Sequence, residues 1–109
     1  MVEKFITPAD LPTDYERELL IILMEECDEI SQRAAKILRF GALEVQPGQI
    51  FDNVERMCQE IGDFECVRNL LHQQNLIDKK RIPYGYERKR GQLAKYMQTS
   101  KPTGGCDGA

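Results

Sequence analysis

Between Thr13 and Gly41 the chain carries neither glycine nor proline. A stretch of that length without a breaker predicts one long helix. Thr13-Asp14-Tyr15-Glu16 supplies its start: a threonine at the N-cap and a glutamate three places on form a capping box directly before an apolar run. Gly41 supplies its stop, at the position where glycine closes helices. The first helix is therefore expected over 14–40. A short loop with Pro47-Gly48 follows, and a second helix is expected from about 50 to about 74, ending near Asn75. Its one internal glycine, Gly62, costs about 1 kcal/mol against alanine. After a link through Asp78 and Ile82-Pro83-Tyr84-Gly85, residues 86–97 (YERKRGQLAKYM) predict a weaker third helix. No repeat and no strand pattern is present. The expected architecture is all-α: one domain over 1–98 and a disordered tail over 99–109.

Core positions recur along the first helix at Leu20, Leu23, Cys27, Ile30, Ala34 and Ile37, and along the second at Ile50, Val54, Met57, Ile61, Phe64, Val67 or Arg68, and Leu71. Spacings of three and four mark these as core stripes, with Cys27 and Cys58 read as small buried apolar groups. Two long helices joined by a short loop pack antiparallel, as a hairpin. Leu19 to Met24, however, is apolar all the way round, and one partner helix cannot cover it. A lone helix pair is also a thin core. The hairpin, with its shorter C-terminal helix, is therefore expected to assemble into an oligomeric helical bundle, a homodimer or homotetramer.

Charge divides the chain unevenly. Residues 1–78 hold sixteen acids and seven bases (−9), and residues 79–109 hold eight bases and two acids (+6), for a total of −3. An acidic body suits a cation, and a basic arm suits an anionic ligand or partner. The opening MVEKFITPAD has no apolar segment of the kind a secretory signal needs, and no run approaches the ~18 residues of a membrane span. Four cysteines without such a signal read as reduced thiols, so a cytoplasmic location with no membrane association is expected. None of the cysteines has zinc-site spacing. No glycine-rich phosphate loop is present, since Gly104-Gly105 sits in the tail. His72, the single histidine, reads as a helix-end residue.

The acids of the two long helices are the informative residues. The first helix contains Glu25-Glu26-Cys27-Asp28-Glu29, the second Glu60-Ile61-Gly62-Asp63. At about 100° per residue, Glu26 with Glu29 and Glu60 with Asp63 each lie on a flank roughly 100° from their own core stripe. In an antiparallel pair both flanks fall on the same side. Counted from the loop, the two pairs lie level to about one residue, or ~1.5 Å of rise. Four carboxylates are thus expected to converge in a part-shielded groove, with Arg33 and Arg56 the nearest bases. Four like charges so placed are costly without a strong counter-ion. An all-oxygen donor set suits Mg²⁺, with Mn²⁺ an alternative.

Glu25-Glu26-x-x-Glu29 followed by Glu60-x-x-Asp63 resembles the EExxE…ExxD signature of the MazG-like, all-α NTP pyrophosphatase superfamily. Gln59-Glu60-Ile61-Gly62-Asp63 is similar to the glycine-containing segment of that family, and the likeness covers about residues 14–75. It implies a dimer or tetramer with a Mg²⁺ site that hydrolyses nucleoside triphosphates to a monophosphate and pyrophosphate. By position, Glu26, Glu29, Glu60 and Asp63 would ligate the metal, and Glu25 would be an accessory carboxylate. Glu25 or Glu29 would orient the attacking water. Lys79-Lys80-Arg81-Ile82-Pro83-Tyr84 loosely resembles a basic element of the family. Arg33, Lys36, Lys79, Lys80 and Arg81 are the candidate phosphate-binding bases, the last three reaching across from a second subunit. The competing expectation is a non-enzymatic helical oligomer whose basic C-terminal arm, with Tyr84, Tyr86 and Tyr96, binds nucleic acid or an acidic partner. The acidic body would repel a polyanion, so nucleic acid is the less favoured partner.

Overall fold

The structure is a computed structural model that describes residues 10–99 and 102. It is all-helical, with three α-helices and no strand among the described residues. No helix among them is long and apolar enough to cross a membrane. Contacts divide the chain into two units, Met1–Ile77 and Asp78–Ala109.

In the first unit, α1 spans Asp14–Phe40. Both halves of its capping box form: Thr13 Oγ1 accepts from the Glu16 amide at 3.2 Å, and Glu16 Oε1 accepts from the Thr13 amide at 2.8 Å. Two of the helix's orphan donors are thereby satisfied. Asp14 and Glu16 in the first turn and Arg39 in the last complement the helix dipole. Gly41 ends the helix at φ 97°, a backbone geometry that costs any residue with a Cβ, and its amide donates to Ile37 O. The second helix, α2, spans Asn53–Gln73. It begins three residues later than expected, because Asp52 is the N-cap: its Oδ1 accepts from the Glu55 amide at 2.8 Å. Ile50, expected in the core, stays in the loop and is 84% exposed. Asn75, at φ 60°, terminates the chain's helical course after α2.

Contacts pair the start of α1 with the end of α2, where Leu19, Val67 and Leu71 are buried and Leu20, Ile22, Leu23, Leu70 and Ile77 pack on them. They also pair the end of α1 with the start of α2, where Gly41 meets Asn53. The inward faces differ from the apolar stripes by one residue at several places. On α1, Leu19 is buried rather than Leu20, and Glu26 is half-buried while Cys27 is exposed. On α2, Asn53 is buried while Val54 is exposed, and Glu60 is half-buried while Ile61 is exposed. Cys58 is exposed as well. One residue is ~100° of rotation, so polar side chains take seam positions that the apolar pattern assigned to Cys27, Val54 and Ile61. Of the all-round apolar segment, Ile21 and Met24 remain open, Met24 at 67%.

In the second unit, a 3₁₀ turn at Lys79–Arg81, capped by the Asp78 side chain, leads directly into α3, Ile82–Tyr96. This helix starts four residues before the expected 86. Pro83 occupies its first turn, where a missing N–H breaks no helical bond. The tail expected at 99–109 lies outside the described residues apart from Thr99 and Pro102, as does Cys106.

Leu71 is completely buried at the centre of the small core. Leu71→Ala is expected to cost about 2–5 kcal/mol, read as a lowered urea midpoint at unchanged slope.

Candidate metal centre

Glu26 lies seven residues beyond Leu19 on α1, and Glu60 seven residues before Val67 on α2. Seven residues are about two turns, so each glutamate returns to the face that carries the core. Asp63 follows Glu60 by one turn. One carboxylate oxygen from each of Glu26, Glu60 and Asp63 can be chosen so that all three lie within 4.8 Å of one another. Glu26 and Glu60 are half-buried, and Asp63 is exposed at the mouth. The acids thus meet in the seam itself, where the sequence placed them on a flank beside it.

The electrostatics follow from this placement. A hydrogen bond shared with Glu29 is the largest influence on Glu60. With burial and the charges of Glu29, Asp63 and Glu26, it pushes the Glu60 carboxyl up to about 7 from an ordinary 4.5. Glu26 is also raised, first by burial and then by Glu29, Asp63 and Glu25. Every influence on these two carboxyls raises them. The Glu65–Arg68 ion pair of α2 involves neither of them. The Oε2 atoms of Glu26 and Glu60 are shut off from solvent and have no hydrogen-bond partner. Buried carboxylate oxygens without a donor are rare unless something positive sits between them.

The residues present fit a hard divalent cation. A bound Mg²⁺ would hold neighbouring ligand oxygens about 3 Å apart, so three oxygens within 4.8 Å of one another would have to draw together around it. Glu26, Glu60 and Asp63 would be the direct ligands. Glu29, the largest influence on the Glu60 carboxyl, is not one of the three clustered carboxylates and would join them or orient Glu60. Glu25 is exposed and acts on the centre through its charge on Glu26.

Among the candidate phosphate-binding bases, Arg33 lies one turn beyond Glu29. It is half-buried, and its Nε and Nη1 are closed to solvent without partners. Lys36 Nζ sits 5.4 Å from the Phe40 ring centroid, a cation–π contact. Lys79, Lys80 and Arg81 belong to the second unit, where Arg81 faces Asp78 at 3.7 Å. Arg56, the other base expected near the acids, has Nη1 3.5 Å from Gln46 Oε1. His72 closes the α2 end, with Nδ1 3.0 Å from Ile77 O. Asn53 was not singled out by sequence, yet it is fully buried. Its spacing of seven from Glu60 was the available signal.

A raised carboxyl pKa means that the folded protein keeps a proton the unfolded chain has lost. For the metal-free protein, this centre's contribution is fully present below about pH 4.5 and is lost as pH rises to about 7. Thermal unfolding should therefore show Glu60→Gln gaining on the wild type across that window. At pH 8, Mg²⁺ should raise the wild-type Tm and leave the variant's unmoved. Equal response of the two proteins to pH would show that Glu60 does not carry the repulsion. Comparison of the chain with family models, with curated proteins and with solved structures gives no significant match, so the geometry above is what speaks to its chemistry.

Proposed function

We propose that this chain is a Mg²⁺-dependent nucleoside triphosphate pyrophosphohydrolase of the MazG-like kind, releasing a nucleoside monophosphate and pyrophosphate. The observation that carries this reading is the meeting of Glu26, Glu60 and Asp63 from two helices, with two buried, unpartnered oxygens between them. A purely structural seam has no use for such an arrangement. The resemblance of Glu25-Glu26-x-x-Glu29 and Glu60-x-x-Asp63 to the family signature supplies the reaction. Mn²⁺ is the alternative ion.

Magnesium, when bound, supplies positive charge for the polyphosphate and for the leaving pyrophosphate. The chain's own residues do the rest. Glu26, Glu60 and Asp63 hold the ion, with Glu29 as fourth ligand. Glu25 or Glu29, whichever oxygen is not committed to the ion, orients a water at the α-phosphorus and takes its proton. Arg33 directs its unpartnered N–H groups to phosphate oxygens, and Lys36 adds charge beside it. Lys79, Lys80 and Arg81 complete the phosphate clamp from a second copy. α1 and α2 form an antiparallel hairpin, and the open apolar side chains Ile21, Met24 and Ile61 are covered in a homodimer or homotetramer.

A second reading is favoured by one observation. Tyr84, Tyr86 and Tyr96 are all exposed on the basic α3, the pattern of a surface that binds nucleic acid or an acidic partner. Assay of NTPs and dNTPs with Mg²⁺ separates the two. Pyrophosphate release is expected from the wild type, with turnover lowered roughly 10²–10³-fold in Glu60→Gln at unchanged helicity. Orthophosphate alone would mean that a different bond is cut. Salt-dependent oligonucleotide binding that survives in a Glu26→Gln/Glu60→Gln protein without hydrolysis in the wild type would favour the binding module.

A further inference from the structure

Asn53 opens α2 and is wholly inaccessible to solvent. Its Nδ2 donates to Gly41 O, the cap of α1, at 2.9 Å and to Glu44 Oε1 in the loop at 3.3 Å. Its backbone amide donates to Glu44 O, and the next amide, of Val54, donates to Ala42 O, both at 3.1 Å. The end of α1, the loop and the first residue of α2 are thereby joined by directional bonds. The Asn53 Oδ1 atom is buried with no partner. Leaving an amide oxygen unmade costs stability, and an apolar side chain of similar size would avoid that cost. The gain from this residue therefore lies in placement.

What it places follows from helix geometry. Glu60 stands two turns beyond Asn53 on the same face, and Asp63 one turn further. A slip of α2 by one residue would carry Glu60 ~1.5 Å along the seam and ~100° around it. That is enough to part it from Glu26. Apolar contact at Leu19, Val67 and Leu71 is non-directional and resists such sliding weakly. Hydrogen bonds to Gly41 O and Glu44 do not tolerate it.

We infer that Asn53 is a positioning residue for the carboxylate centre: by bonding Gly41 O and Glu44 it locks α2 at the axial level where Glu60 and Asp63 meet Glu26. The inference rests on the metal-site reading above.

Mn²⁺ binding to the full chain, followed by the EPR signal of free and bound ion, tests it in four proteins: wild type, Asn53→Ala, Glu44→Ala and Ile77→Ala. Ile77 packs on the core away from the loop and the acids, so Ile77→Ala controls for lost stability alone. Asn53→Ala should bind Mn²⁺ roughly ten-fold or more weakly, as for loss of a residue that orients ligands, with an altered bound-ion line shape. Glu44→Ala should weaken binding by a smaller factor. Ile77→Ala should lower Tm and keep wild-type affinity in its folded form. A folded Asn53→Ala with wild-type affinity overturns the inference. If Asn53→Ala does not fold, wild-type affinity in Glu44→Ala overturns it instead. Failure of the wild type itself to bind Mn²⁺ overturns the site reading, a result distinct from either.

Discussion

Glu26 and Glu60 face one another across the seam of two helices, half-buried, with oxygens that no donor reaches. Their repulsion, joined by Glu29 and Asp63, works against the packing of α1 on α2. One response is protonation: with its carboxyl pushed up to about 7, Glu60 can keep a proton toward neutral pH and share it with Glu29. A divalent cation is the stronger response, because it removes the repulsion and satisfies the orphaned oxygens together. Proton and ion compete for the same carboxylates, so occupancy by one excludes the other.

The seam is otherwise modestly built. Leu19, Val67 and Leu71 are its buried apolar residues among those described, and all three lie at the end far from the interhelical loop. Toward the loop the polar Glu26, Arg33, Asn53 and Glu60 share the inward positions with the half-buried Ile30, Ala34, Ile37, Met57 and Phe64. Directional bonding adds there to a thinner apolar contact. The capping box at Thr13, the Asp52 cap, and the Asn53 bonds to Gly41 and Glu44 set where each helix begins and how the pair is levelled. A centre built from acids on two elements needs such control, since rotation of a helix by one residue moves a carboxylate out of reach.

Some of this was readable in the chain. Helix ends depend on bonds spanning a few residues, and Thr13, Glu16 and Gly41 marked α1 to the residue. Asp52 is an equally local signal, but the apolar Ile50 points to an earlier start and to a core position that the structure does not give it. Pro83 suggested a link and instead opens α3, since proline is tolerated in a first helical turn. The level of Glu26 against Glu60 and Asp63 followed from residue counting along two helices. The face did not. A stripe traced through Cys27, Val54 and Ile61 assumes that apolar residues turn inward, and here Glu26, Asn53 and Glu60 occupy those seam positions. Local rules fail in this way where a site replaces a core.

The amino-acid sequence by itself determined three helices, the start and stop of the first, and the axial level of its two acidic doublets, because caps, breakers and rise per residue are properties of short stretches of chain. Only the tertiary structure decided that Glu26 and Glu60 point into the seam, that Asn53 is buried at its end, and that Cys27 and Cys58 face outward. The reason is physical: which side of a helix turns inward is set by the contacts of the whole face with its neighbour, and a rotation of ~100° that no local bond forbids exchanges one set of residues for another.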